Sequence, residues 1–491
     1  MFGRRHPPPP APAVATADTP EVGVGRACRQ VGDFLVCLVA GILLLRYFVA
    51  EAYVVPTGSM APTILGMHRE VECPRCHFRF AVGVDESGAG DGPSRCPNCG
   101  QGEFGESAGV EASGDRLLVQ KFLYDFRPPR RWEVAVFQSP IEPGQAYVKR
   151  VVGLPGEAVQ LVDGDVWVDG AIARKTIAEV RATRIPIYDH RCQPEDAARF
   201  PRWIFEADRS RRFRATGWQA VGATFAHEPT SASDDGEDWL EYRHWDPDRS
   251  EFGPVRDWYA YNGDERGGHV VRDLMATGAL SARADVAAIH LRISHNADRF
   301  VVTIPVDGRG AVGVTRNGAA LAVEAADAGL RSSPPEAPRW DEFELAVVDR
   351  RVSATLAGRP LFEPIDYDAD GPATLSTPTP FALGVVNGTV EVKDLRLFRD
   401  IYYTGERASF DRAPAAVDAP FCLRADEFFV LGDNSPVSND SRFWADRPVV
   451  RRSQLLGKPF LVHLPGQVFG LRLFGREIGW IPDFREIRYI R

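Results

Sequence analysis

The sequence lacks any basic run long enough to hold a nucleic acid. Its 58 lysines and arginines are outnumbered by 67 acidic residues, leaving a net charge of −9. The densest basic patch, RSRRFR at Arg209–Arg214, sits among aromatics and reads as a solvated strand or turn. No nucleic acid is expected as a partner. Helical periodicity is scarce beyond Ala50, and the N-terminus offers no helix-turn-helix, which argues against a DNA-binding repressor. Histidine is sparse, 10 residues in 491, and none supports a Ser/His/Asp arrangement. His68 and His77 lie beside a cysteine-rich segment, and His463 lies in a predicted strand. A second long apolar run is missing too: IGWIPDFREIRYIR at the C-terminus reads as a closing strand, not a membrane helix.

What is present starts with a Pro/Ala-rich tail, residues 1–30, which cannot bury a core and is expected to be disordered and cytoplasmic. VGDFLVCLVAGILLLRYFVA follows. Twenty residues at about 1.5 Å each reach about 30 Å, the thickness of a hydrocarbon core, so residues 31–52 are expected to form a transmembrane anchor. Asp33 lies near its start and Arg46 near its far end, where a long side chain can snorkel outward. Arg4, Arg5, Arg26 and Arg29 precede it and place the N-terminus in the cytoplasm. The expected location is therefore the cell membrane, single-pass, with the rest of the chain outside. A cleaved leader ending at Ala50–Ala52 (AEA) is the alternative reading.

Beyond the anchor the chain alternates short apolar runs with turn signals, the pattern of a mainly β protein. RLLVQKF, EVAVFQS, AYVKRVVGLPGE, EFFVLGDNS and KPFLVHLPG read as strands, and DGDVWVDG as a strand between two Asp-Gly turns. These fall into residues 53–177 and 406–491, expected to be two parts of one domain. Residues 178–405 carry their own alternation: Phe343, Leu345 and Val347, then Val352, Ala354 and Leu356. Six of the ten tryptophans lie there. The expected architecture is an inserted β-sandwich whose last strands look like those of a concanavalin-type jelly roll. A packing or spacer role is the plainer reading and a carbohydrate site its alternative.

Cys73, Cys76, Cys96 and Cys99 form CPRC and CPNC knuckles within a ribbon-like segment, residues 67–112. Four thiolates at this spacing satisfy tetrahedral zinc and leave no position for a catalytic water, so a structural zinc is expected. Two disulfides are the alternative in an oxidising compartment. Cys192 and Cys422 flank the insertion and could pair across its ends; Cys28 and Cys37 are expected to be free.

Ser59, in VVPTGSMAP, follows the apolar run closely. A serine hydroxyl is a weak nucleophile until a base takes its proton, and a neutral lysine can be that base. Lys149 lies among apolar neighbours in AYVKRVVGLPGE. Its pKa would have to fall from ~10.4 toward ~7–8, roughly 4 kcal/mol of differential solvation, which only a site buried on several sides imposes.

Four blocks in order resemble bacterial type I signal peptidases: EAYVVPTGSMAPTIL, GDRLLVQKF, AYVKRVVGLPGE and LGDNSPVSNDSRFW. The resemblance implies the signal-peptidase β-fold, with Ser59 as nucleophile and Lys149 as general base. It implies that Ser438 orients the lysine and that Asp440 and Arg442 pair to hold the last loop. The Ser59 N–H and the Thr57 hydroxyl would form the oxyanion hole, threonine standing where many members carry serine. Asp433 and Asn434 would be structural. Secretory preproteins are the implied substrates and the bilayer the implied partner. An extended substrate would add as a strand beside Ala52–Val55 and Gln145–Val148, with Tyr53 and Tyr147 among the binding residues and Val55, Pro56 and Val148 walling pockets for small side chains. No cofactor is implied for catalysis. A rival from another class is a membrane-tethered binding protein, carbohydrate-binding through its insertion, with a relic protease.

Overall fold

The computed structural model describes residues 24–44, 50–84, 94–102, 104, 109–196, 201–207, 216–229, 237–263, 268–324, 329–334, 336–368, 377–405, 414–445, 447–473 and 476–490. The basic patch 209–214, most of the loop between the two cysteine knuckles and residues 1–23 of the expected tail lie outside these. Met1–Glu51 and Ala52–Arg491 form two compact units.

The first unit contains a helix, Val24–Leu44. It starts inside the expected tail and takes in Arg26, Arg29 and Asp33, which dilute its apolar stretch. No described helix is long and apolar enough to cross a membrane. The helix is not continuous to residue 52 either: Ala50–Val54 is a strand, and 45–49 lie outside the described residues. Phe34, Leu35, Val36 and Val39 stand exposed along it.

The second unit is built of strands. One sheet runs Ala50–Val54, Arg116–Gln120, Leu455–Leu464, Val134–Gln138, Ala146–Gly153, Glu427–Leu431, Val450–Arg451. Neighbours in this order come from both sides of the long middle segment, so the chain returns to finish a sheet it began some 280 residues earlier. Val55, Leu117, Val119, Val134, Val136 and Val462 alternate onto one core beneath it. A smaller sheet joins Ala158–Val162 and Asp165–Val168 to Phe421–Cys422. Its two Asp-Gly turns have left-handed backbones at Asp163, Gly164, Asp169 and Gly170, the conformation that Asp-Gly favours in two-residue hairpins.

The middle segment forms two larger sheets over one apolar core. Val390–Arg399 and Leu274–Ala282 are central in one, Phe381–Val386 and Ala288–His295 in the other. Phe343, Leu345, Val347 and Val352 point into that core together with Leu291, Phe300 and Leu383. It is a two-sheet sandwich. Where it meets the first sheets the contact is charged and buried. Lys175 Nζ lies 3.0 Å from Asp349 and 2.8 Å from Asp400, over the Trp132 ring at 4.2 Å.

The cysteine segment forms a three-stranded sheet, Arg79–Gly83, His68–Glu72 and Val110–Ala112. Cys192 and Cys422 are not paired. Cys192 lies by the ribbon, where its carbonyl accepts from Asn98, whereas Cys422 pairs with Ala158. The insertion's ends are stitched by strands instead.

Candidate active site

Ser59 sits in a single 3-10 turn, Gly58–Met60, directly after the first strand of the sheet. The turn is pinned from below by Met60, which is fully buried beside Val55, Ile64 and Val134. Asp115, the acid of GDRLLVQKF, holds the surrounding loops. Its carboxylate accepts from Leu65 N at 3.0 Å, Gly466 N at 2.7 Å and Arg488 at 2.7 Å, and its carbonyl from Val55 N at 3.0 Å.

Lys149 is placed by the strand Ala146–Gly153, opposite Ala135 of the neighbouring strand. Its Nζ lies 2.6 Å from Ser59 Oγ, and the residue is 4% exposed. Tyr147, two residues away on the same strand face, puts its ring centroid 5.7 Å from Lys149 Nζ. The next residue, Arg150, turns to the other face and is fully buried against Asp433, donating from Nε at 2.7 Å. A charge pair buried this deeply is costly to break.

The last block closes over the turn. Asn434 donates its backbone N–H to Ser59 O and its Nδ2 to Gly58 O, each at 3.1 Å. Gly432 has no room for a side chain: a Cβ there would lie 2.1 Å from Ser438 Oγ and 2.4 Å from Ser59 O. That glycine lets the fully buried Ser438 and the nucleophile turn approach the same backbone. Asp440 and Arg442 form a two-point pair with no exposure, at 2.9 and 2.7 Å. Asp440 also accepts from Gly432 N at 2.9 Å, and Arg442 donates to Ser435 Oγ at 2.8 Å. Burial alone would raise the Asp440 carboxyl; Arg442, the Gly432 N–H and the Ser438 hydroxyl outweigh it and hold the group below its usual range.

Thr57 is exposed and extended ahead of the turn, its side chain making no capping bond. Tyr53, Tyr147 and Val148 are half-buried, Pro56 is exposed and Val55 lies in the core. Among the described residues no strand pairs with the outer edge of Ala50–Val54. Glu427–Leu431 pairs with Arg150, Val151 and Gly153 and leaves the same edge of Ala146–Lys149 open among them.

The four cysteines gather, their sulfurs all within 4.8 Å of one another. Cys73–Cys99 and Cys76–Cys96 sulfurs are 3.6 Å apart, far beyond a disulfide bond. His77 and Gly100, each following its knuckle's second cysteine, have left-handed backbones and donate N–H to Cys73 O and Cys96 O. The cluster could hold a metal ion.

The sequence profile of the family described as signal peptidase, peptidase S26, matches residues 108–206 and 356–464. Those segments contain Lys149, Ser438, Asp440 and Arg442; Ser59 precedes them. The protein named "Probable signal peptidase I-1" from Synechocystis sp. is 30% identical over 135 residues, 26% of this chain and 45% of that protein. A signal peptidase I from Leptolyngbya laminosa is 45% identical over 64 residues, 11% of this chain and 31% of that protein. Another, from Pseudomonas aeruginosa, is 29% identical over 156 residues, 29% of this chain and 38% of that protein. The chain thus spans about a third to a half of the length of these curated relatives. Over these segments, which carry Lys149 and the last block, the chain is similar to the signal peptidase S26 family.

Proposed function

We propose that this chain is a membrane-bound serine endopeptidase that removes N-terminal signal peptides from exported preproteins. The observation that carries the reading is the buried Lys149 Nζ 2.6 Å from Ser59 Oγ. In this reading the neutral lysine takes the Ser59 proton as Oγ attacks the scissile carbonyl carbon. The Ser59 N–H and the Thr57 hydroxyl hold the oxyanion. Lys149 then returns the proton to the leaving amine, and a water activated by the same lysine hydrolyses the acyl-enzyme. Ser438 orients the lysine, and the Asp440–Arg442 pair fixes the loop that carries Ser438.

The open edges at Ala50–Val54 and Ala146–Lys149 suit an extended substrate, which would hydrogen-bond as an added strand. Pockets bounded by Pro56 and Val148 and floored by Val55 favour small side chains at the first and third positions before the cut. The exposed apolar face of Val24–Leu44 is the element for membrane attachment, with the N-terminus cytoplasmic and the active site outside.

The cysteine cluster is assigned a structural zinc. Four sulfurs at 2.3 Å from a tetrahedral zinc lie about 3.8 Å apart, close to the 3.6 Å seen. Elemental analysis of protein purified without added metal should find one zinc and four titratable thiols from this segment; no metal and no thiols would refute it.

The activity is tested by incubating detergent-solubilised protein, wild type and Ser59→Ala, with a secretory preprotein and mapping the product N-terminus. A cut after a small-x-small site by wild type alone is expected. Equal cleavage by both proteins would overturn the assignment.

A further inference from the structure

Asn434, which clamps the nucleophile turn, is itself held by a residue of the insertion. Asn262 Nδ2 donates to Asn434 Oδ1 at 2.9 Å, and Asn434 Nδ2 donates to Asn262 Oδ1 at 2.7 Å. Both residues are buried, at 3% and 2% exposure. The second proton of Asn434 Nδ2 goes to Gly58 O. All the donors of this amide are then used, and its plane is fixed by the reciprocal pair.

Asn262 ends a short turn, Ala260–Asn262, that reaches from the sandwich to the catalytic sheet. The root of that turn is rigid. Arg399, buried at the end of a central sandwich strand, donates to the carbonyls of Asp257 and Trp258. Asp257 is locked in turn to His269 by two bonds of 2.9 Å. The neighbouring Tyr261 packs its ring against Gly58 so closely that a Cβ there would lie 2.1 Å from it. Its hydroxyl is tied to Met67 O at 2.9 Å. The insertion therefore touches the nucleophile turn directly through Tyr261 and reaches it a second time through Asn434.

The consequence lies in the peptide that joins Gly58 to Ser59. A trans peptide is planar, with its carbonyl and N–H pointing in opposite directions. Gly58 O accepts from Ala61 N at 3.0 Å within the turn and from Asn434 Nδ2 across it, and this double tie aims the Ser59 N–H the other way, out of the clamp. We infer that Asn262 is a positioning residue of the inserted sandwich: through Asn434 it fixes the Gly58–Ser59 peptide and so aims the Ser59 N–H at the reacting carbonyl oxygen. This rests on the Ser59/Lys149 reading above. It gives the insertion a part in the reaction that a spacer would not have.

The test uses the full-length chain in detergent, with kcat and KM measured on a preprotein alongside thermal melting. Removing one oxyanion donor costs about 10²–10³ in rate, and loosening its aim should cost less, about 10-fold. Asn262→Ala should therefore lower kcat about 10-fold, with KM and melting temperature little changed. Asn262→Gln, which keeps both an amide donor and an acceptor for Asn434, should recover part of that loss. Because Thr57→Val acts on the same oxyanion, the double variant should lose less than the product of the two single losses. If wild type does not cleave, or Ser59→Ala does, the Ser/Lys reading fails and this inference with it. If wild type cleaves and folded Asn262→Ala keeps its kcat within two-fold, only the inference fails. A loss confined to KM, or one fully multiplicative with Thr57→Val, would make Asn262 a packing residue and overturn it. Should Asn262→Ala not fold, Asn262→Ser decides by the same cycle.

Discussion

Two lysines are buried to nearly the same degree, Lys149 at 4% and Lys175 at 3%, and both lie near an aromatic ring. Lys149 meets a serine hydroxyl at 2.6 Å. Lys175 sits between the carboxylates of Asp349 and Asp400, with Asp273 and Asp165 close behind. Burial pushes against the Lys175 charge, but Asp349 and Asp400 outweigh it and hold the group well above its ordinary range. Burial by itself therefore does not decide what a lysine does. A carboxylate partner turns it into a fixed positive charge that joins two layers of the molecule; a hydroxyl partner leaves a proton to be exchanged.

The sharpest break in that comparison is removal of each amine. Lys149→Ala, like Ser59→Ala, is expected to reduce cleavage at least 10³-fold with the melting temperature nearly unchanged, since neither group of a dyad works alone. Parallel cleavage and melting measurements check it, and near wild-type cleavage would dismiss Lys149 as the base. Lys175→Met should do the reverse. Breaking a buried charge pair from one side costs about 3–5 kcal/mol, so denaturant unfolding should show a loss of that order while the folded fraction keeps its kcat. Because the proposed base must be neutral, the cleavage rate should rise with pH as Lys149 loses its proton, and histidine reagents should not inhibit. A rate governed by a group near pH 6.5 and abolished by histidine modification would point to a different base.

The subtlest effect, read only through its pH dependence, concerns Asp349. Burial, Asp400 and Asp273 raise its pKa to about 7 against the pull of Lys175. The folded protein therefore keeps a proton that the unfolded chain releases near pH ~3.9. Over that interval the native state binds more protons, so this group's contribution to stability falls as pH rises from about 4 to about 7 and then levels off. In Asp349→Asn that slope should be absent. The stability of wild type minus variant, followed by melting across the same range, should decline with pH; a flat or rising difference would show that Lys175 dominates the pair.

Much of the strand content was legible because its signals are local. Alternating residues such as Phe343, Leu345 and Val347 give a strand, and Asp163-Gly164 and Asp169-Gly170 give hairpin turns. Ser59, Lys149, Asp440 and Arg442 stood out by the motifs around them, and the structure brings Lys149 to Ser59 and Asp440 to Arg442. Asp433 and Asn434, read as structural, do hold backbone and charge, though Asn434 grips the nucleophile turn directly. What stayed hidden depends on partners distant in sequence. Nothing around Asn262 signals a partner 172 residues away, and Asp115 gave no sign that Gly466 and Arg488 would converge on it. The helix start at Val24 was missed because Arg26 and Arg29 were read as flanking a span rather than as part of a helix. Pairing Cys192 with Cys422 failed for a related reason: lying at opposite ends of an insertion in sequence does not bring two side chains together.

The buried Arg150–Asp433 pair also sets a schedule. Its partners are 283 residues apart. At roughly 5–20 residues per second of synthesis, the ribosome needs about 15 s to a minute to pass from one to the other. Throughout that interval the strand carrying Lys149 lacks Glu427–Leu431 as its neighbour, and the Ser59 turn lacks the Asn434 clamp. Ser59 and Lys149 are made first, and the groups that hold them in place follow some 280 residues later. The nascent chain thus carries both side chains of the proposed dyad long before the groups around them are in place.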